Sequence, residues 1–185
     1  MQLNLPTLLT LLRIALIPVF VGVFFLSFRG ANLLCTALFG LAALTDLLDG
    51  YLARRLGQTS AFGAFLDPVA DKLMVVAALV LLVQAIPTPT MAIAVMVIIS
   101  REIAISALRE WMAQIGGHGR VAVSMIGKIK TTAQMIAVLL LLYREPLGDF
   151  FPTLEVGQGL LLVAAALTLW SMLHYLMAAW PMLKA

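Results

Sequence analysis

Charged residues are scarce in this sequence. Only 11% of the 185 residues are Asp, Glu, Lys or Arg, whereas 63% are hydrophobic and the mean hydropathy is +1.06. Soluble domains are usually about half apolar and about a quarter charged. The composition therefore excludes an ordinary soluble domain, because too little polar surface is present to cover it in water. It indicates one integral-membrane domain over residues 1–185, built from α-helices.

The chain also lacks a second cysteine, a cationic N-terminal segment and any run of basic residues. Cys35 cannot form a disulfide within one chain, and it lies in an apolar stretch where a small hydrophobe is expected. The first ten residues contain no Lys or Arg, and the first apolar stretch contains Arg13, so we predict no cleavable signal peptide. The basic residues are spread along apolar segments, so the net charge of +3 does not predict nucleic-acid binding.

Apolar segments of about 20 residues, the length that crosses a bilayer, recur six times. The predicted spans are Thr7–Ser27, Ala31–Leu52, Phe62–Ile86, Met91–Ala113, Val121–Tyr143 and Gly157–Trp180. When the spans alternate in direction, ten of the 12 Lys and Arg residues fall on one side, and only Arg29 and Arg144 fall on the other. Because cytoplasmic loops are rich in Lys and Arg, this asymmetry predicts that both termini are cytosolic.

Four aspartates near the predicted cytosolic face are the densest group of charges inside the spans. Asp46 and Asp49 are three residues apart, and Asp67 and Asp71 are four apart, so each pair shares a helix face. A short loop around Gln58–Ser60 joins the two helices, so the acidic faces can oppose each other. Four converging carboxylates need cations, and oxygen ligands favour Mg²⁺ or Mn²⁺. The pattern predicts two divalent ions that act on a phosphorus centre.

Gly50 and Arg54 accompany these aspartates. Gly50 follows Asp49 directly, and its missing side chain can admit a nucleotide or phosphate beside the metal ions. Arg54 lies eight residues past Asp46 and can bind a phosphate oxygen. An alternative is that these charges only lie in the headgroup region. That explains a single Asp–Arg pair better than four aspartates with two glycines and an arginine in this order.

The order Asp46-x2-Asp49-Gly50-x2-Ala53-Arg54-x8-Gly63-x3-Asp67-x3-Asp71 resembles the complete signature of the CDP-alcohol phosphotransferase family. The resemblance implies six transmembrane helices, a homodimer, and a role for Asp71 as the general base. It implies that two metal ions are held by Asp46, Asp49, Asp67 and Asp71. It also implies a cytidine diphosphate pocket that includes Asp46, Asp49, Gly50, Arg54 and Ser60.

Four further cations are candidates for binding the acceptor alcohol. Glycerol 3-phosphate carries close to two negative charges and needs Arg or Lys partners, for which the candidates are Arg101, Arg109, Lys128 and Lys130. Spacing alone leaves open that these residues only set orientation, with Arg101 paired to an acidic neighbour. The resemblance is dense from Asp46 to Gln134. It implies CDP-diacylglycerol as donor, glycerol 3-phosphate as acceptor and the bacterial inner membrane as location.

Two rival functions follow from the same residues. The first is the same chemistry with phosphatidylglycerol, serine or inositol phosphate as acceptor. The second is cation or proton transport along the four aspartates. The predicted aspartates lie at one face of the membrane and not along its depth, and Gly50 and Arg54 suit a nucleotide. The pattern therefore favours a transferase.

Overall fold

The computed structural model describes residues 5–26, 28–56, 61–114, 125–146 and 151–183. Within these ranges the chain forms six α-helices and no β-strand. The helices are α1 (Leu5–Phe25), α2 (Ala31–Leu56), α3 (Ala61–Ala85), α4 (Pro89–Gln114), α5 (Met125–Tyr143) and α6 (Thr153–Leu183). The predicted all-α fold with six helices is confirmed.

Four of the helices are long and apolar enough to cross a membrane. Their candidate spans are Thr7–Phe25, Pro68–Ala85, Pro89–Met112 and Thr153–His174. The other two helices contain shorter apolar stretches, Ala31–Asp46 in α2 and Ile129–Tyr143 in α5. Large hydrophobic side chains are exposed on the outside of the bundle, including Leu33, Ile93 and Trp170. An apolar exterior of this kind is expected of a protein that faces lipid.

Two groups of helices make up the bundle. Helix α1 packs against α2 and α3, and helix α6 packs against α4 and α5. The two groups meet where α2 contacts α5 and where α3 contacts α4 and α5. The rings of Phe20 and Phe39 meet in the core with centroids 6.4 Å apart. Cys35 is buried in the same core, as expected of a small hydrophobe. This packing places α2, α3, α4 and α5 around a common interior.

Several helix boundaries differ from the predicted spans. Helix α2 continues to Leu56, and α6 begins at Thr153, with Glu155 in its first turn where the helix dipole favours an acidic side chain. These extensions contain the charged residues Arg54, Arg55 and Glu155, so the predicted apolar stretches end before they reach them. Helix α3 contains Pro68 in its interior. Because Pro68 has no N–H, one backbone hydrogen bond of that helix is missing beside the predicted metal ligands.

We expect Gly157→Ala to destabilise the contact between α5 and α6. A Cβ atom at this position would lie 2.8 Å from Leu141 Cγ and 3.3 Å from Leu140 Cβ, so the Leu141 side chain or one of the two helices must shift. Overpacking of this kind costs about 1–3 kcal/mol. The measurement is the thermal unfolding midpoint of the detergent-purified protein.

Gly159→Ala is the matched control, because a Cβ atom there meets nothing within 4 Å. It should leave the midpoint unchanged or raise it, since Ala is favoured over Gly in a helix by about 0.5–1 kcal/mol. Equal midpoints for the two variants would contradict the close packing of α5 on α6 at Gly157.

Candidate functional site

A cavity of about 490 Å³ lies between α2, α3, α4 and α5. One end is polar and is lined by Asp46, Asp71, Lys72, Glu102 and Gln134. The remaining wall is apolar and includes Val75, Leu79, Ile98, Met135 and Leu139. Along α3, α4 and α5 the apolar lining residues follow the polar ones in one direction along each helix. The cavity can therefore receive a molecule with a polar head and an apolar tail.

The polar end brings together two of the four predicted metal ligands. Asp46 on α2 and Asp71 on α3 both line the cavity. Asp49 and Asp67 lie in the same two helices, but their side chains are outside the described part of the structure. Among the described side chains, no group of three or more His, Cys, Asp or Glu residues forms a metal site. The two described carboxylates supply only oxygen donors, which fit Mg²⁺ or Mn²⁺ and do not favour zinc.

The predicted nucleotide-binding residues fall outside what the structure describes. Gly50 and Arg54 lie within α2, but their side-chain environment is not described. Ser60 belongs to residues 57–60, which are outside the described ranges. These three assignments remain predictions. The structure adds only that Gly50 and Arg54 continue the helix that carries Asp46.

Arg13 on α1 is paired with Asp46. Its Nη1 donates to Asp46 Oδ1 over 2.7 Å, and Arg13 is 1% exposed, whereas the Asp46 side chain is 38% exposed. A charge buried in an apolar helix is costly unless it is paired. Arg13 therefore orients the Asp46 carboxylate toward the cavity and offsets part of its charge. The sequence offered one signal for this pairing, namely a single charged residue within the apolar helix α1.

Lys72 is a cation of the cavity wall that was not among the predicted site residues. It follows Asp71 directly, lines the cavity, and donates a hydrogen bond from Nζ to Ser106 Oγ on α4. The contact joins α3 to α4 at the polar end. An ammonium group in this position can also meet an anion that enters the cavity.

Two of the four predicted acceptor cations meet at Glu102. Arg101 Nη1 donates to Glu102 Oε1 over 2.7 Å, and Lys130 Nζ on α5 donates to the same oxygen over 2.9 Å. Arg101 Nη2 also donates to Ser171 Oγ on α6 over 3.1 Å. The acidic neighbour considered for Arg101 is thus present, and it binds Lys130 as well. Arg109 lies in α4 and Lys128 in α5, but their side chains are outside the described part.

Comparison with known proteins identifies close relatives of the chain. It matches the profile of the CDP-alcohol phosphatidyltransferase family over residues 3–170. A protein of Sodalis glossinidius is 55% identical over 179 residues, which cover 97% of this chain and 96% of the relative. A protein of Pectobacterium atrosepticum is 55% identical over 180 residues, with the same coverage. A protein of Pseudomonas fluorescens is 52% identical over 184 residues, which cover 98% of this chain and 92% of the relative. All three are named CDP-diacylglycerol–glycerol-3-phosphate 3-phosphatidyltransferase.

We expect Arg13 and Asp46 to be energetically coupled. Arg13→Met and Asp46→Asn should each lower the thermal unfolding midpoint in EDTA, and the double variant should lose less than the two losses added together. The coupling should be about 0.5–2 kcal/mol, since the exposed part of Asp46 is screened by solvent. A double-mutant cycle in detergent, with EDTA removing divalent ions, measures it.

Arg29→Met is the control for this cycle, because Arg29 is an exposed residue of the turn between α1 and α2. It should change the midpoint little, alone or combined with Asp46→Asn. Strict additivity of Arg13→Met and Asp46→Asn would rule out the pairing as a stabilising contact.

Proposed function

The chain belongs to the CDP-alcohol phosphatidyltransferase family, and we propose that it transfers the phosphatidyl group of CDP-diacylglycerol to the 1-hydroxyl of sn-glycerol 3-phosphate. The products are phosphatidylglycerophosphate and CMP. The observation that carries this proposal is identity of 52–55% over nearly the whole chain to relatives named for this reaction. The cavity supports it, because CDP-diacylglycerol combines a charged head with apolar chains.

The reaction is a displacement at phosphorus. The 1-hydroxyl oxygen of the acceptor bonds to the phosphorus that bears diacylglycerol, the bond from that phosphorus to the CMP oxygen breaks, and the hydroxyl proton passes to a base. We assign the base to Asp71, which lines the polar end of the cavity. Asp71 lies one helical turn before Val75, the first apolar lining residue of α3, so a lipid phosphate at the polar end would lie near Asp71.

Divalent ions fit the donor atoms of this site. We assign their ligands to Asp46, Asp49, Asp67 and Asp71, of which Asp46 and Asp71 face the cavity together. Bound Mg²⁺ or Mn²⁺, in a pair, supplies electrostatic stabilisation of the phosphate oxygens. Arg13 holds the carboxylate of Asp46 in place through Oδ1. The cytidine diphosphate pocket is assigned to Gly50, Arg54 and Ser60, with Asp46 and Asp49.

The acceptor phosphate is assigned to the cationic side of the cavity. Arg101 and Lys130 lie together at Glu102, and we assign the acceptor phosphate to these two residues, with Arg109 and Lys128. Lys72 adds a cation that lines the cavity directly. A neutral acceptor such as inositol carries no charge that this many cations would neutralise. The arrangement therefore favours a phosphorylated alcohol.

The proposal includes a location and an assembly. The asymmetry of Lys and Arg supports a multi-pass protein of the bacterial inner membrane with both termini and the active site on the cytoplasmic side. The whole chain acts as one catalytic domain, and the resemblance to the family supports a homodimer. Its lipid substrate reaches the cavity from the bilayer.

The first test measures CMP release by the detergent-purified protein supplied with CDP-diacylglycerol and Mg²⁺. Release should require glycerol 3-phosphate and should stop in EDTA. If CMP is released only with phosphatidylglycerol, serine or inositol phosphate, the acceptor assignment is wrong and the type of reaction is unchanged. If folded protein with metal present releases no CMP with any alcohol, the transferase proposal is refuted and cation transport is favoured.

Asp71→Asn should abolish most of the CMP release, with a loss of about 10³-fold or more in kcat, because the variant removes both a base and a metal ligand. Glu155→Gln at the start of α6 removes the same charge away from the cavity and should retain full activity. Retained activity in Asp71→Asn would exclude Asp71 as the base.

A further inference from the structure

Three charged residues form a cluster beside the cavity, with Arg101 and Glu102 on α4 and Lys130 on α5. Arg101 Nη1 and Lys130 Nζ donate to one and the same oxygen, Glu102 Oε1, over 2.7 and 2.9 Å. Arg101 is 7% exposed and Lys130 is 1% exposed. Cations buried to this degree need an acidic partner. Glu102 supplies that partner to both of them at once.

Glu102 stands between these two cations and the cavity. Among the three residues of the cluster, it is Glu102 that lines the cavity, together with Asp71 and Lys72. Its side chain is 29% exposed. An anion that enters the cavity therefore meets the Glu102 carboxylate before it can reach Arg101 or Lys130.

Arg101 has hydrogen-bonding capacity that its present partners do not use. Nη1 donates to Glu102 and Nη2 to Ser171, whereas Nε is buried and has no hydrogen-bond partner among the described residues. A buried donor without a partner is unfavourable. A phosphate group offers three terminal oxygens, so it can accept from Arg101 Nη1 and from Lys130 Nζ through separate oxygens and still has one oxygen for a further donor. Arg101 and Lys130 share a single oxygen of Glu102, so a phosphate group can satisfy the two cations more completely than Glu102 does.

The balance of charge points in the same direction. With Glu102 in place, the cluster has one more positive than negative charge. A phosphate group with close to two negative charges, added beside Glu102 at the same two cations, would leave the cluster with an excess of negative charge. If the phosphate takes the place of Glu102 on Arg101 and Lys130, the two cations and the dianion are balanced, and the Glu102 carboxylate moves into the cavity that Lys72 also lines. At these two cations, exchange is therefore more favourable than simple addition.

Building on the proposed function, we propose that Glu102 is a displaceable counter-ion of the acceptor site. Before the acceptor binds, its carboxylate occupies the position that the acceptor's phosphate group takes on Arg101 and Lys130. The phosphate then displaces Glu102 into the cavity. Glu102 is a specificity-determining residue, because only an anion with more charge and more oxygens than a carboxylate exchanges with it effectively.

The test compares Glu102→Gln with the wild-type protein in the absence of CDP-diacylglycerol. The thermal unfolding midpoint of full-length, detergent-purified protein is followed during titration with inorganic phosphate, and separately with glycerol 3-phosphate, at constant ionic strength. The variant should unfold at a lower temperature without phosphate. Its apparent Kd for either anion should be lower than that of the wild type by about tenfold or more, since a charged competitor has been removed.

Glu110→Gln is the matched control, because Glu110 is an exposed glutamate on the same helix. It makes the same change of charge outside the cluster and should bind phosphate as the wild type does. If Glu102 is instead a permanent structural partner, Glu102→Gln will lose stability without any gain in phosphate affinity. An unchanged or higher Kd therefore overturns the proposal.

Glu102→Asp serves if the glutamine variant does not fold, because it keeps the charge and shortens the side chain by one methylene group. It should bind phosphate more tightly than the wild type, but by a smaller factor, and unchanged affinity again overturns the proposal.

CMP release by the wild type is measured on the same preparations. If CMP release requires glycerol 3-phosphate but both Glu102 variants bind the anions as the wild type does, the role of Glu102 is refuted and the proposed function stands. If CMP is released only with an uncharged alcohol but Glu102→Gln binds phosphate more tightly, the acceptor assignment is refuted and the role of Glu102 as a displaceable counter-ion stands.

Discussion

The neutralisation of charge inside an apolar bundle is the constraint on which the site depends. An ion in hydrocarbon is costly unless an opposite charge or a hydrogen-bonding group meets it. In this protein the partner repeatedly comes from another helix. Arg13 of α1 meets Asp46 of α2, and Lys130 of α5 meets Glu102 of α4. Lys72 of α3 meets Ser106 of α4 in the same way. The contacts that make the charges tolerable also fix the helices around the cavity, so the site and the fold share one set of interactions.

The number and type of elements could be predicted from the sequence, because hydropathy reports directly on residence in lipid. The ends of the helices could not, since hydropathy marks where the apolar stretch stops and not where the backbone hydrogen bonds stop. Helix α2 continues through Arg54 to Leu56, and α6 begins at Thr153. A polar helical extension costs little once it has reached the headgroups, so the boundary leaves no clear trace in composition.

The site was predictable only in part, and helix geometry explains the difference. The spacing of Asp46 and Asp71 within their motifs placed them on helices that face each other, and both line the cavity. The pairing of Arg13 with Asp46 and of Lys130 with Glu102 depends on the rotation of each helix about its axis. Helices that are apolar on nearly every side carry little amphipathic pattern to reveal that rotation. A charged residue within a span therefore indicated that a partner exists but did not identify that partner.

The distribution of charge around the cavity separates two tasks on different helices. Among the described residues at the polar end and directly behind it, three are acidic (Asp46, Asp71 and Glu102). Four are cationic (Arg13, Lys72, Arg101 and Lys130). The aspartates belong to α2 and α3, whereas Arg101 and Lys130 belong to α4 and α5. In the proposed reaction, an acceptor with close to two negative charges must approach a carboxylate base, and the repulsion between them has to be offset. Cations held on separate helices can offset it without binding the metal ligands themselves. In this proposal the aspartate motif determines the reaction, and the helices that follow it determine which alcohol can approach.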